Sequence, residues 1–416
     1  MLNKVAVIGA GISGLAVAQR LKEEGFDVTV FEKKAVPGGL INCTLEDGNL
    51  FHRVGGHVFN TKITKVDKWF WGRFDKEKEF FSAKRNAKIL LDGAYINYPI
   101  ENNLYQLNPE TVAKIIDELF DNTRLIEVAT NLYSFLENKF GKTLFNLYFK
   151  PYNSKIWNCD LKKIPLEWLV GKLPMPNFKD ILINNILKKD ESLMVHSTFY
   201  YPKINGSSFI ADRLCEGLKI KFNCAIEKVK IVNDKWNIDS EVFDNLIFTG
   251  DIRRLSSIID INNDNLIHLY KEIQYFKSNG TTTVLCYTDQ CDLSWLYIPD
   301  ENLSCHRIIY TGNFSKNNNS TLRSTCTVEF SGILDEKDIR KQLVKLPGNL
   351  DPISFNFEAN SYVIQDENTR IKVNNLKKLL KPYNFYLLGR FAEWEYYNMD
   401  AAIEASLILV SNNFSK

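Results

Sequence analysis

The 416-residue chain has no excess of either charge: 52 basic residues face 50 acidic ones, for a net charge of +2. No global field therefore draws it to nucleic acid or to an anionic membrane surface. It lacks any run near the roughly 18 apolar residues that a membrane span needs. Its eight cysteines (43, 159, 215, 224, 286, 291, 305 and 326) are scattered, with no CxxC and no His/Cys cluster. That spacing offers no metal site and reads as buried free thiols. Histidine is scarce, with five in the chain, so one set in a motif carries weight. The chain enters a strand-like segment at residue 4, so we expect no secretion signal. These absences lead us to expect a reduced, soluble, cytoplasmic protein. The 45% hydrophobic content is enough to fill the cores of two or three domains.

What is present is concentrated in the first 39 residues. Lys4-Val5-Ala6-Val7-Ile8 is a short apolar strand, and Gly9-Ala10-Gly11-Ile12-Ser13-Gly14 is a three-glycine turn opening an amphipathic helix. Val28-Thr29-Val30-Phe31-Glu32 is a second strand that ends on an acid. Gly9 permits the tight turn, Gly11 lets the backbone approach a pyrophosphate, and Gly14 lets helix and sheet pack closely. The pyrophosphate would sit at the helix N-terminus, where free N–H groups and the dipole favour an anion. Glu32 stands where a carboxylate accepts from ribose hydroxyls. The combination predicts dinucleotide binding.

Lys33-Lys34-Ala35-Val36-Pro37-Gly38-Gly39 then runs into a second glycine turn, where a simple NAD domain would enter another helix. This pattern resembles the FAD-binding fold shared by amine oxidases, protoporphyrinogen oxidases and UDP-galactopyranose mutases. The resemblance implies FAD, held by Gly9, Gly11, Ile12, Ser13, Gly14, Glu32, Lys33, Gly38, Gly39 and Leu40.

Periodicity organises the rest. From about 103 to 190 apolar residues recur at three and four, as in Val112 to Phe120 and Ala129 to Phe149, with no strand signal before Phe199. Short alternating strands return from Lys219 to Phe248, and Asn245 to Phe248 reads as the strand that rejoins the nucleotide sheet. Residues 281–330 alternate as an antiparallel sheet, with Lys316 to Ser320 as a polar hairpin loop. Arg253 and Arg254 read as a solvated helix start. Phe385 to Leu388 is a last strand, followed by a helix that begins near Met399 and Asp400. The expected fold class is α/β: a Rossmann-like FAD-binding domain with a helical insertion and an antiparallel β-sheet substrate domain. The FAD-binding domain takes residues 1–80, 199–260 and 355–416. The helical substrate-cleft insertion takes 81–198 and the antiparallel sheet domain 261–354.

Several stretches, in order along the chain, resemble the UDP-galactopyranose mutase family. Gly55-Gly56-His57-Val58-Phe59-Asn60-Thr61 is similar to G-x-H-I-F-H-T, and Phe149 to Trp157 to F-x-x-Y-x-x-K-Q-W. Tyr201 to Ser208 resembles the P-x-G-G-Y/S turn, and Gly389-Arg390 through Asp400 resembles G-R-x(5)-Y-x-D-M-D. The resemblance implies His57, Arg390 and Tyr396 as catalytic groups. It adds Gly56, His57, Val229, Gly389, Asn398 and Met399 to the FAD site. Tyr152, Trp157, Arg307 and Tyr396 would bind substrate, and no metal is implied.

The implied activity is a mutase acting on a nucleotide-sugar for surface polysaccharide biosynthesis, in which N5 of reduced flavin attacks the anomeric carbon. Pyranose and furanose forms interconvert without net redox change, and a homodimer is compatible with the family. The chain departs from the pattern at Asn60, Asn398 and Pro176, the last standing where the family has a phosphate-holding arginine; the resemblance then implies either weak affinity for UDP-galactose itself or a compensating cation such as Lys172 or Lys179. An FAD oxidoreductase of the amine oxidase or protoporphyrinogen oxidase type stays open as the alternative.

Overall fold

The computed structural model describes residues 3–122, 128–166, 177–188, 197–320 and 323–414. Runs rich in Val, Ile and Phe need a sheet covered on both faces, and the first strand finds one. Lys4–Ile8 pairs in parallel with Asp27–Phe31 on one side and Asn245–Phe248 on the other. Phe385–Leu387 and Lys219–Lys221 add the two edges, giving five parallel strands. Val5, Val7, Val28 and Val30 pack on one face against helices Ile12–Glu23 and Met399–Asn413. Ala6, Phe31, Leu246 and Phe248 point the other way. There they meet Trp236, Val373 and Trp394, from a four-stranded sheet, the helix Thr369–Leu380 and the segment after it. The strands expected at 245 and 385 thus join the nucleotide sheet, which is built from three separated stretches of chain.

The second sheet has seven strands, in the order Asp351–Ile364, Lys277–Thr288, Ser324–Ser331, Cys305–Ile309, Trp295–Tyr297, Ala87–Leu91 and Ala94–Asn97. All neighbours are antiparallel except Trp295–Tyr297 and Ala87–Leu91. The sheet therefore takes two strands from the 81–198 segment expected to be helical, and it runs past residue 354. The missed signal was Asp92-Gly93: both have positive φ (49° and 80°) and close the hairpin between Ala87–Leu91 and Ala94–Asn97. The helical part begins only afterwards, with Pro109–Asn122, Leu132–Leu144, Lys150–Trp157 and Phe178–Ile186. These helices cover one face of the sheet through Leu119, Leu136 and Phe140. Phe80–Lys84 pairs with Thr198–Pro202, so the insertion leaves and returns at one antiparallel ladder.

Lys316 to Ser320 is not a solvated hairpin. It forms a single turn in which Asn318 is buried and donates to the Tyr201 hydroxyl (2.9 Å) and the Thr311 carbonyl (2.7 Å). Among the described residues no helix is long and apolar enough to cross a membrane.

Candidate active site

A cavity of about 670 Å³ lies at the carboxyl ends of the parallel strands and reaches across to the seven-stranded sheet. Open α/β sheets place ligands at that end. Ile8, Phe31 and Phe248, at the ends of three neighbouring strands, form its floor. Gly9, Gly11, Ile12, Ser13, Glu32, Lys33, Gly38, Gly39 and Leu40 all line this half. The two glycine turns are stitched together by the Gly38 N–H, which donates to the Ala10 carbonyl (2.8 Å). A Cβ on Gly39 would come within 3.3 Å of the Gly11 Cα. Gly14 does not reach the cavity; it packs against Gly9 inside the motif.

Glu32 is only 7% exposed and accepts from the Ala10 N–H (2.7 Å) and the Lys34 N–H (2.9 Å). Each carboxylate oxygen keeps acceptor capacity for a ribose hydroxyl. Glu32→Ala should therefore weaken FAD binding by about 1–3 kcal/mol, the cost of leaving buried polar partners unpaired. Equilibrium titration of stripped protein with FAD checks this, and unchanged affinity would remove Glu32 from the ribose site.

Val229 is displaced from its expected place. It is fully buried in the core at the head of the strand Val229–Val232, and the lining comes from Cys224, Ala225 and Ile226. The reason is topological: those three residues leave the carboxyl end of Lys219–Lys221, whereas Val229 has already entered the next sheet. Gly389 stands just outside the lining, where a Cβ would lie 2.6 Å from the Ser13 Oγ. Asn398 takes the N-cap position of Met399–Asn413 but makes no side-chain cap bond, so this helix presents its free N-terminus. Asn398, Met399 and Asp400 line the cavity there.

Toward the seven-stranded sheet the lining turns cationic and aromatic. Arg307 is paired with Glu329 and donates to the Tyr362 hydroxyl (3.4 Å). Tyr362 and Tyr396 stack at 5.8 Å with rings 6° from parallel. Arg390 lies 4.4 Å over the Tyr396 ring and donates to the Tyr397 and Ser361 carbonyls (3.1 and 2.9 Å). Its guanidinium has no ion-pair partner among the described residues, and it clamps two loops while facing the cavity. Gly56 and His57 sit between the two halves, the His57 Nε2 3.0 Å from the Val54 carbonyl. Burial first, then His52 and Arg390 nearby, push the His57 pKa down to about 3, so the ring is neutral.

Tyr152 and Trp157 do not line the cavity. Tyr152 stacks on Tyr148 and abuts the Tyr297 edge, while Trp157 backs Tyr362 and Tyr396 edge-on at 5.7 and 5.8 Å. They support the wall from behind. Arg254, expected on a solvated helix, is exposed but lines the cavity at its rim, and Arg253 pairs with Asp251 beneath Trp394. Asn60 lines the cavity as well. Lys179 is exposed and outside the lining. Lys172 and Leu173 to Pro176 lie outside the described residues. Tyr362, Glu329 and Arg85 went unremarked in the sequence. For Glu329 a signal existed, a lone acid in the otherwise uncharged strand Ser324–Ser331.

The site fits FAD. Gly11 opens into the cavity with nothing within 4 Å of a would-be Cβ, the helix Ile12–Glu23 has no side-chain cap, and Glu32 is placed for a ribose. A family model for an NAD(P)-binding Rossmann-like domain matches residues 7–71. The dTDP-fucopyranose mutase of Escherichia coli is 25% identical over 99% of this chain and 100% of its own length. The UDP-galactopyranose mutase of Mycoplasma genitalium is 22% identical over 97% and 93%. The crystal structure of a reduced UDP-galactopyranose mutase superposes with a TM-score of 0.88 at 21% identity, covering 99% and 94% of the two chains. The chain is thus similar over nearly its full length to sugar-nucleotide mutases, shares the fold of a UDP-galactopyranose mutase, and opens with an NAD(P)-binding Rossmann-like domain.

Proposed function

We propose that this protein is an FAD-dependent mutase that interconverts the pyranose and furanose forms of a nucleotide-sugar. The observation that carries the proposal is one continuous cavity, running from Gly11 and Glu32, past His57, to Arg307, Tyr362 and Tyr396. A cofactor and a diphosphate-bearing substrate would meet inside it. Reduced FAD supplies N5 as the nucleophile for the anomeric carbon, and the sugar undergoes no net oxidation.

The chain's own groups do the rest. Arg307 offers a planar fork to phosphate oxygens, held in place by Glu329. The Tyr362 and Tyr396 rings wall the sugar side. The uncapped N-terminus of Met399–Asn413 favours negative charge in the cavity. Arg390, with its guanidinium already on two carbonyls, fixes the segment that carries Tyr396 and adds positive charge. A cytoplasmic location and a homodimer belong to the same proposal; all eight cysteines are free thiols, as a reducing compartment keeps them.

The candidate substrates are those named for the relatives, dTDP-fucopyranose and UDP-galactopyranose. Each is incubated with dithionite-reduced and with oxidised protein, and the furanose form is followed by HPLC. Isomerisation by the reduced protein alone is expected. Oxygen consumption with substrate by the oxidised protein, and no isomerisation of either sugar nucleotide under reduction, would move the assignment to an oxidoreductase.

A further inference from the structure

The helix Lys150–Trp157 carries the segment that resembles F-x-x-Y-x-x-K-Q-W, yet no residue of it lines the cavity. Its Lys155 reaches instead into the hairpin of Trp295–Tyr297 and Cys305–Ile309, which carries Arg307. The Lys155 Nζ donates to the Ile298 and Cys305 carbonyls, at 2.9 Å each, and so bridges both arms of that hairpin. The helix end is itself anchored. The Ser331 Oγ donates to the Lys155 carbonyl (2.6 Å), and the Asn279 Nδ2 to the Ile156 carbonyl (2.9 Å).

The place that Lys155 grips is a β-bulge. Cys305 opposes Phe330 and Arg307 opposes Glu329, so His306 is an extra residue with no register partner on that strand. A regular ladder continued from Cys305 would set His306 opposite Glu329 and turn Arg307 to the other face. The bulge brings both side chains to one carboxylate oxygen instead: Arg307 pairs with it, and the His306 Nε2 lies 3.3 Å away. Arg307 thereby faces the cavity.

We propose that Lys155 is a positioning residue for the nucleotide-sugar: by gripping the first residue of the bulge it holds Arg307 on the cavity face and so sets affinity for the diphosphate. The identity of the ligand rests on the mutase proposal. Lys155 is half-buried, and burial pushes its pKa down to about 8 against the upward pull of Cys305, Asp300 and Glu301. Burial also pushes the Cys305 thiol up to about 12 and holds the His306 pKa below its ordinary value, so neither changes charge near pH 8. The charge-assisted bonds to the two carbonyls are therefore present below about pH 8 and weaken as the ammonium loses its proton above it.

The test is calorimetric binding of UDP and of dTDP to FAD-loaded wild type, Lys155→Met and Lys155→Arg, from pH 7 to pH 9.5. Wild-type affinity should fall as pH rises through about 8. Lys155→Arg, whose cation does not titrate in that range, should bind like wild type at pH 7 and show no such fall. Lys155→Met should bind about tenfold more weakly at pH 7, the scale of a lost hydrogen bond to a charged group. In turnover the same loss should appear in KM and leave kcat unchanged, which a general loss of structure would not do. Where the variants do not fold, the wild-type profile decides, with FAD affinity level over the same range. A wild-type nucleotide affinity that is level through pH 8, a fall that persists in Lys155→Arg, or wild-type affinity in Lys155→Met overturns the inference and leaves the mutase proposal standing. Wild type that binds neither nucleotide overturns both.

Discussion

Gly11→Val should yield a folded, colourless protein, whereas Gly14→Val should not fold. The two glycines belong to one motif but meet different surroundings. Gly11 has an ordinary φ of −76°, and a Cβ there would touch nothing within 4 Å. A valine branch is therefore accommodated in the empty protein and occupies the space where the pyrophosphate must approach. The expected fold cost is that of a poor N-cap, about 0.5–1 kcal/mol. At Gly14 a Cβ would lie 1.9 Å from the Gly9 carbonyl oxygen and 3.1 Å from its carbon. Those are backbone atoms inside a hydrogen-bonded turn and cannot move aside as a side chain would. Overpacking of a core by ~1–3 kcal/mol is a lower bound for such a clash. The checks are flavin absorbance per protein and thermal melting against FAD-stripped wild type, since bound FAD itself adds stability. Full-strength flavin absorbance in Gly11→Val would defeat the assignment of the pyrophosphate site.

Glu329→Gln should lose about 3 kcal/mol of stability at neutral pH, together with much of the affinity for a sugar nucleotide. Glu329 is almost fully buried, paired with Arg307 and 3.3 Å from the His306 Nε2. Burial alone would raise its carboxyl pKa, but Arg307 and then His306 hold it at about 2. Breaking a buried pair from one side costs ~3–5 kcal/mol, because the partner charge is left uncompensated. The lower end applies here, since a quarter of the Arg307 side chain stays open. The folded pKa lies below the ordinary carboxylate value, so the stabilisation is present above about pH 4.5 and is lost as pH falls toward about 2. The gap between wild type and variant should therefore be full at pH 7 and narrow through that acid window. Denaturant melts at pH 7 and pH 3 read it. A loss below ~1 kcal/mol at pH 7, or a gap that widens in acid, would show that the pair does not hold Arg307.

The sequence alone determined the nucleotide half of this site. Gly9 to Gly14, Glu32 and Gly38-Gly39 lie within 39 residues, and the backbone conformations they permit are local properties. The strand at Asn245–Phe248 and the helix start at Met399 were legible for the same reason, from periodicity and the residues that flank it. The substrate half was decided by tertiary structure. Arg307, Glu329 and Tyr362 stand on three different strands, and Arg85 directly follows the strand Phe80–Lys84 of a separate two-stranded ladder. Whether each faces the cavity depends on register against a partner strand, and a slip of one residue would turn it to the opposite face. Val229 and Ile226 show the same dependence: both are apolar and three residues apart, yet one enters the core and the other the cavity. Tyr152 and Trp157 match a family motif, but the packing of their helix against Tyr297, Tyr362 and Tyr396 sets them one layer behind the cavity wall. Local backbone demands are written in consecutive residues, whereas the facing of a side chain is set by neighbours that only the folded chain brings together.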